Sequence, residues 1–512
     1  MYLFTYLLLK LISLNDIQVM STQSKYRQIF KATSLFGGVQ VINILTYIIR
    51  AKFVAIFLGP VGMGISSLFM TTITLINSVS GLGLNYSAIR DISKSSATGD
   101  IKEISYTLFI FKRWLWISCI LGAFVMIAFS SFLSQYTFGN KDYSWSFVFL
   151  SLMIVFNTLS NGNTALLEGT RSMKNTAKST VVGSCVGLLT SVPLYYFFGT
   201  KGIVPSLIIG SLTVYLISAY FANKVKTLPV TVSRADTLSK GGEMAKLGIV
   251  MVAAQALGSA VIYVINTYVR SKGGIEDVGL YQAATSITNQ SIGLVFTAMT
   301  IDYFPRLAAV SDDNLKIKEI VNQQAIITIL ISSPILICLI VFSPLFIRAL
   351  LSPDFYVITD VVRWLAFGSL FTAPMVVLGF IALAKGDKKS FFLYGSFFNN
   401  ILALIFYIAG YMFYGLIGMG IAFFLSQLIY ILFIGLRFHK LYSFSFTQQF
   451  LKVFLIYVGA CLLVLSSSLL MGGIWGYSIG GIVVALSCVF SLMQLEKYME
   501  VVGYLKMRFF KK

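Results

Sequence analysis

Between residues 31 and 495 the chain is a succession of apolar runs, most of them 18 or more residues long, separated by short polar stretches. A run of that length forms a helix able to cross about 30 Å of hydrocarbon, and a helix satisfies its own backbone hydrogen bonds where no water can. Together they restrict the chain to an all-α membrane protein. Its charge agrees: 11% of the 512 residues are Asp, Glu, Lys or Arg, against about 25% in a soluble domain.

Fourteen candidate spans cover approximately 31–56, 61–85, 107–134, 145–167, 177–198, 203–222, 246–269, 279–304, 325–348, 360–384, 390–411, 415–436, 450–471 and 475–495. The net charge of +20 is read here as membrane topology and not as nucleic-acid binding. With the N-terminus inside, 31 of the 39 Lys and Arg fall on the cytoplasmic side, in segments such as "KYRQIFK", "TRSMKNTAK", "KGDKK", "RFHK" and the basic tail. An even number of spans then puts both termini in the cytoplasm. The chain is expected to be a multi-pass membrane protein. Residues 1–30 form a cytoplasmic N-terminal segment, within which Met20 is an alternative start.

Catalytic chemistry is not indicated. All five cysteines lie in apolar runs, His439 is the single histidine, and no nucleophile–base pair, phosphate loop or dinucleotide fingerprint stands out. Neither a metal nor a cofactor is expected.

The chain repeats itself. "IIRAK" (48–52) matches "YVRSK" (268–272) at an offset of 220. "VGMG" (61–64) matches "VGLY" (278–281), and "EGTRS" (168–172) matches "KGDKK" (385–389), both at 217. "GIVPSLIIG" (202–210) follows "GLIGMGIAF" (415–423) loosely at 213. A repeat unit of six helices gives halves of the same orientation, related by an axis along the membrane normal. The expected architecture is two pseudosymmetric six-helix bundles around a central cleft, 31–222 and 246–436. A cytoplasmic linker, 223–245, joins them, and two extra helices with a basic tail follow in 437–512.

Ionisable residues in spans face protein interiors or water, because a charge in lipid costs about 3 kcal/mol. Arg50 and Lys52 lie late in the first span, Arg270 and Lys272 at the end of the seventh, and these two spans hold no Asp or Glu. The repeat would set the two basic pairs across the cleft. Four cations without a facing acid suit an anion such as phosphate, which Arg binds in a bidentate fashion. Lys52 and Lys272 equally suit a second reading, as ends of helices reaching for lipid headgroups. Amides accompany them: Gln40 and Asn43, Asn77, Asn157, Gln255 and Asn266, Gln282 and Asn289. Each could hydrogen-bond a glycan hydroxyl or join two helices at about 0.6 kcal/mol. Glu168 and Asp302 are the candidate acids for ion coupling, although Glu168 also suits an ion pair with Arg171.

The stretch "KATSLFGGVQVINILTYIIRAKFVAIFLGPVGMGISSLF" resembles the first two helices of bacterial O-antigen and polysaccharide flippases of the Wzx type, and residues 52–64 carry most of the likeness. These flippases belong to the superfamily of multidrug, oligosaccharidyl-lipid and polysaccharide exporters. In the related lipid II flippases an arginine stands nine residues before the corresponding glycine and lines a cationic cavity; here Arg50 stands nine before Gly59. The resemblance implies an undecaprenyl-pyrophosphate-linked oligosaccharide as substrate. Its pyrophosphate would meet Arg50, with Lys52, Arg270 and Lys272, while its prenyl tail stays among membrane lipids. Polysaccharide polymerase or chain-length proteins would be partners. A cation-coupled multidrug exporter of the same superfamily would need acids where this chain has bases. A membrane glycosyltransferase would need large outer loops bearing carboxylates, and the loops here are short.

Overall fold

The structure, a computed structural model, describes residues 23–98, 100–471 and 473–499, so the expected segment 1–30 lies outside the described residues as far as residue 22. Thirteen helices are labelled in chain order. They are α1 (Gln23–Ser80), α2 (Leu84–Thr98), α3 (Ile101–Ala128), α4 (Ser130–Phe138), α5 (Ser144–Gly169), α6 (Met173–Phe198) and α7 (Ile203–Ala222). After them come α8 (Arg234–Ala308), α9 (Asn314–Leu350), α10 (Thr359–Ala384), α11 (Phe398–Tyr442), α12 (Gln448–Leu470) and α13 (Gly473–Met499). A π-helical stretch, Phe391–Phe397, leads into α11.

Among the described residues ten stretches are long and apolar enough to span a membrane. Four of them, Gly38–Ser80, Met173–Ala222, Val250–Gly293 and Lys388–Tyr442, run to 43–55 residues. At 1.5 Å per residue that is more than 60 Å, about twice the hydrocarbon thickness. Each of the four is broken at one glycine in the left-handed half of backbone space: Gly59, Gly199, Gly274 and Gly415. A side chain there would clash with the backbone, so glycine is what allows the chain to turn and start a second helix.

The breaks come in pairs. Gly59 (φ 62°, ψ −167°) and Gly274 (φ 88°, ψ −179°) lie 215 residues apart. Gly199 (φ 54°, ψ −136°) and Gly415 (φ 56°, ψ −140°) lie 216 apart, each preceded by an aromatic residue with ψ near zero. The ends of α5 and α10 match bond for bond. Thr170, Arg171 and Ser172 donate to Leu166, Glu168 and Leu167; Lys385, Gly386 and Asp387 donate to Ile381, Leu383 and Ala382. This is the Schellman pattern, which needs a left-handed residue, and it falls on Arg171 (φ 55°) and Gly386 (φ 67°). The backbone therefore repeats at a constant 215–216 residues, where the sequence matches drift from 213 to 220.

Two compact units emerge. One is residues 38–279; the other is 280 onward with the residues before Gly38. This division falls at a different place from the linker 223–245. The first part of α8, which sequence divided between the linker and the second bundle, packs within unit 38–279. Arg113 Nη1 and Trp114 Nε1 donate to Thr237 at 2.8 Å, and Ser87 Oγ donates to the Met244 carbonyl at 2.6 Å. Gly83 and Gly248 meet backbone to backbone, and the Thr137 and Tyr263 hydroxyls are 2.7 Å apart.

Within unit 38–279 a core of Leu84, Ile92, Phe111, Leu115, Cys119 and Leu166 joins α2, α3 and α5. In the other unit α9 and the stretch carrying α10 are central, their most apolar windows 78% buried, whereas that of α13 is 22% buried and presents its apolar side outward. Pro344 in α9 cannot donate to the Ile340 carbonyl, and α9 kinks at Phe342. Arg363 of α10 fills the gap: its Nε donates to Ile340 O (3.4 Å), and its Nη1 to Ser468 O (3.3 Å) and Asp360 (2.9 Å).

Candidate site around Arg50

The first half of α1 places Asn43, Arg50 and Phe57 seven residues apart, hence on one face. That face lies along α6, which runs parallel to it. Ser184 Oγ donates to Asn43 Oδ1 (2.8 Å), Arg50 Nη2 donates to Tyr195 Oη (3.0 Å), and Phe57 packs edge-on against Tyr196 (5.4 Å between centroids). Tyr195 is 2% exposed, and Ser206 Oγ of α7 donates to the same hydroxyl at 2.6 Å. A buried tyrosine hydroxyl needs partners, and here it fixes one end of a guanidinium. Arg50 is partly exposed and makes no ion pair among the described residues. It is a positioned cation with donors left for an anion. Neither Tyr195 nor Ser206 was singled out from sequence, where a tyrosine and a serine near the ends of apolar spans carry no distinguishing signal.

Arg270 is differently used. Its Nε donates to the Thr137 carbonyl (2.9 Å) and its Nη2 to the Tyr136 carbonyl (2.5 Å). These are the last carbonyls of α4, which ends at Gly139 in the left-handed conformation. A cation at a helix C-terminus satisfies orphan acceptors and the helix dipole. In the register set by the backbone breaks Arg50 corresponds to Ile265, and Arg270 to Ala55. The match of "IIRAK" with "YVRSK" is therefore not the structural one. Arg50 and Arg270 share no partner.

The other expected residues disperse. Lys52 is partly buried and Lys272 exposed. Gln40 and Gln255, 215 apart, occupy equivalent positions of the repeat; Gln40 is partly exposed and Gln255 exposed. Asn266 is buried, Asn157 partly so, and Asn289 exposed. Asn77 has a buried Oδ1 without a partner among the described residues, and Gln282 Nε2 donates to Ser286 Oγ (3.2 Å). Glu168 is partly buried, and its carboxylate makes no ion pair with Arg171; the two meet only backbone to backbone in the helix cap (2.9 Å). The side chain of Asp302 lies outside the described residues.

One further feature belongs to this unit. A Cβ on Gly64 would run into the carbonyl of Ile275, and a Cβ on Gly279 into the carbonyl of Pro60. Gly64 and Gly279 are 215 apart, as are Pro60 and Ile275. The contact is reciprocal within unit 38–279.

The chain resembles known proteins in sequence and in fold. The sequence model of the family described as polysaccharide biosynthesis protein matches residues 53–360. The Escherichia coli (strain K12) lipid III flippase is 19% identical over 365 residues, 71% of this chain and 87% of the relative. A Shigella flexneri protein with the provisional name of O-antigen transporter is 24% identical over 400 residues, 76% and 92% of the two chains. Among solved structures, the inward closed lipid II flippase MurJ superposes with a TM-score of 0.67 at 15% identity, covering 91% of this chain and 98% of that one. An inward-facing multidrug transporter of the MATE family superposes at 0.65 and 15% identity, covering 86% and 98%. These two share the fold.

Proposed function

The chain belongs to the polysaccharide biosynthesis protein family, and from that membership we propose that it is a flippase for a lipid-linked oligosaccharide, not an enzyme. The substrate is an undecaprenyl-pyrophosphate-linked repeat unit of O-antigen or a related surface polysaccharide. The headgroup crosses the bacterial cytoplasmic membrane by alternating access, without covalent chemistry, while the prenyl chain stays in lipid. Counting each glycine-broken stretch as two segments makes the number of crossings even, fourteen, which supports termini on one side; the Lys and Arg bias is the reason to take that side as cytoplasmic. Polymerase and chain-length proteins act on the product outside.

The observation that carries this reading is Arg50: a guanidinium inside an apolar helix, anchored by Tyr195, with no acid paired to it among the described residues. A charge so placed is retained for what it binds, and the guanidinium fork matches a pyrophosphate. Lys52 adds a second positive charge two residues on. Asn43 and Gln40, on the same helix, are donors and acceptors for sugar hydroxyls. Lys272, Asn77, Asn157, Gln255, Asn266, Gln282 and Asn289 are secondary candidates, and Arg270 enters only as the support of α4. A drug–cation antiporter would require a carboxylate in these helices, and none is present from 38 to 58 or from 246 to 269.

Deletion of the gene is expected to remove the surface glycan and to accumulate the lipid-linked unit, read by mass analysis of lipid extracts. Arg50→Ala, inserted normally, should fail to restore export, with a loss of tenfold or more. A deletion without accumulation overturns the function; a fully active Arg50→Ala overturns the role of Arg50.

A further inference from the structure

The π-helical stretch Phe391–Phe397 has no counterpart in the first half, where the equivalent residues 176–182 are ordinary α-helix. A π turn carries an extra residue and leaves carbonyls out of register, and such turns gather at functional sites. Here Tyr430 Oη donates to the freed carbonyls of Tyr394 (3.0 Å) and Gly395 (3.2 Å). Phe433 stacks on Phe398 (3.7 Å). Tyr430, Phe433 and Arg437 lie on one face of α11, at spacings of three, four and seven. The extra residue thereby turns Tyr394 toward Arg437, whose guanidinium lies 4.6 Å from the Tyr394 ring and donates through Nη2 to its hydroxyl.

The arginine is held but not neutralised. Among the described residues no carboxylate pairs with it, and its Nε is buried without an acceptor. The nearby Asp387 is engaged by Tyr442 Oη (2.8 Å) and the Ser390 N–H (2.9 Å). Burying a charged donor with no acceptor costs more than leaving a neutral one unmade, and buried unpaired groups call for an explanation. Arg437 sits about one and a half turns from the "RFHK" end of α11, which is cytoplasmic in the topology proposed above. A long basic side chain near a helix end can reach the phosphate level of a bilayer.

We propose that Arg437, oriented by Tyr394 on the π turn, is a binding site for a lipid-borne phosphate in the cytoplasmic leaflet, separate from Arg50. The ligand chemistry is a phosphate or pyrophosphate ester on a hydrocarbon anchor. Two sources share it: an anionic phospholipid, and the prenyl pyrophosphate of the incoming substrate. The inference rests on the proposed topology.

The test uses the purified full chain in detergent, titrated separately with phosphatidylglycerol and with undecaprenyl pyrophosphate, and read by native mass spectrometry. Arg437→Gln is expected to weaken binding about tenfold, and Tyr394→Phe, which keeps the ring and removes the hydroxyl, about threefold. A loss confined to phosphatidylglycerol identifies a phospholipid site; a loss confined to undecaprenyl pyrophosphate, or one shared by both, identifies a docking site for substrate. Unchanged binding of both lipids in both variants overturns the proposal. Arg50→Ala separates this from the functional reading: it should abolish export while leaving phosphatidylglycerol binding unchanged.

Discussion

The two halves of this chain share a backbone and differ in chemistry. Gly59 and Gly274, Gly199 and Gly415, and the caps at Arg171 and Gly386 repeat at 215–216 residues with nearly the same dihedral angles. The arginines do not repeat. Arg50 meets Tyr195 and remains available, whereas Arg270 is spent on the last carbonyls of α4. Arg437 has Phe221 at its equivalent position in the first half, in the 216-residue register that holds after the π turn. Charge does not follow the backbone symmetry: Arg50 and Arg437 each have an apolar residue at the equivalent position of the other half.

The reciprocal glycine contact is where symmetry has the largest consequence. Gly64→Val and Gly279→Val each force a side chain into a carbonyl of the other repeat. Overpacking of that kind costs about 3 kcal/mol or more when the obstacle is backbone. Both variants should lose glycan export almost completely, and to the same extent, in complementation assays normalised to inserted protein. Tolerance of one and not the other would break the equivalence.

Arg270→Ala is the next test, set against Arg50→Ala. Two carbonyls of α4 lose charged donors, a cost of about 2 kcal/mol, visible as a lower Tm in detergent. Export per folded molecule should fall by less than threefold, unlike that of Arg50→Ala. A tenfold loss of export at unchanged Tm would restore Arg270 to the substrate site.

Much of this was legible in the sequence. Fourteen apolar runs with a biased Lys and Arg distribution follow from the physics of lipid, so class and repeat could be read directly. The repeat register could not. "IIRAK" and "YVRSK" look alike, yet the backbone is set by Gly59 and Gly274, and a glycine's φ leaves no mark on its neighbours. Arg50 could be chosen because an isolated charge in an apolar helix is rare. Its partners could not, because Tyr195 and Ser206 lie 145 and 156 residues away. Arg437 read as one more basic residue of a cytoplasmic loop, since a π turn has no sequence signature here.

Asp387 gives a smaller effect that depends on pH. Burial alone would raise its pKa, but hydrogen bonds from Ser390, Tyr442 and Lys389 outweigh it and hold the carboxyl below the usual range. A depressed carboxylate contributes stability above its unfolded pKa, near 4, and that contribution is lost as pH falls through the folded value. Asp387→Ala should therefore lower Tm at pH 7, by a cap's worth of about 1 kcal/mol, and by less once the pH falls below the folded value. Ser172, its equivalent in the first half, makes no side-chain cap. Ser172→Ala should be nearly silent at both pH values.

The smallest effect separates the two Schellman caps. Arg171 adopts φ 55° where Gly386 adopts φ 67°, and the three cap hydrogen bonds are the same. A residue with a Cβ pays about 1 kcal/mol for the left-handed region, and glycine does not. Glycine loses more freedom on folding, which offsets part of that gain. Arg171→Gly should thus raise Tm slightly or leave it unchanged, whereas Gly386→Arg should lower it. If Arg171→Gly lowers Tm instead, the arginine side chain contributes more than its backbone costs, and the two caps are alike in geometry alone.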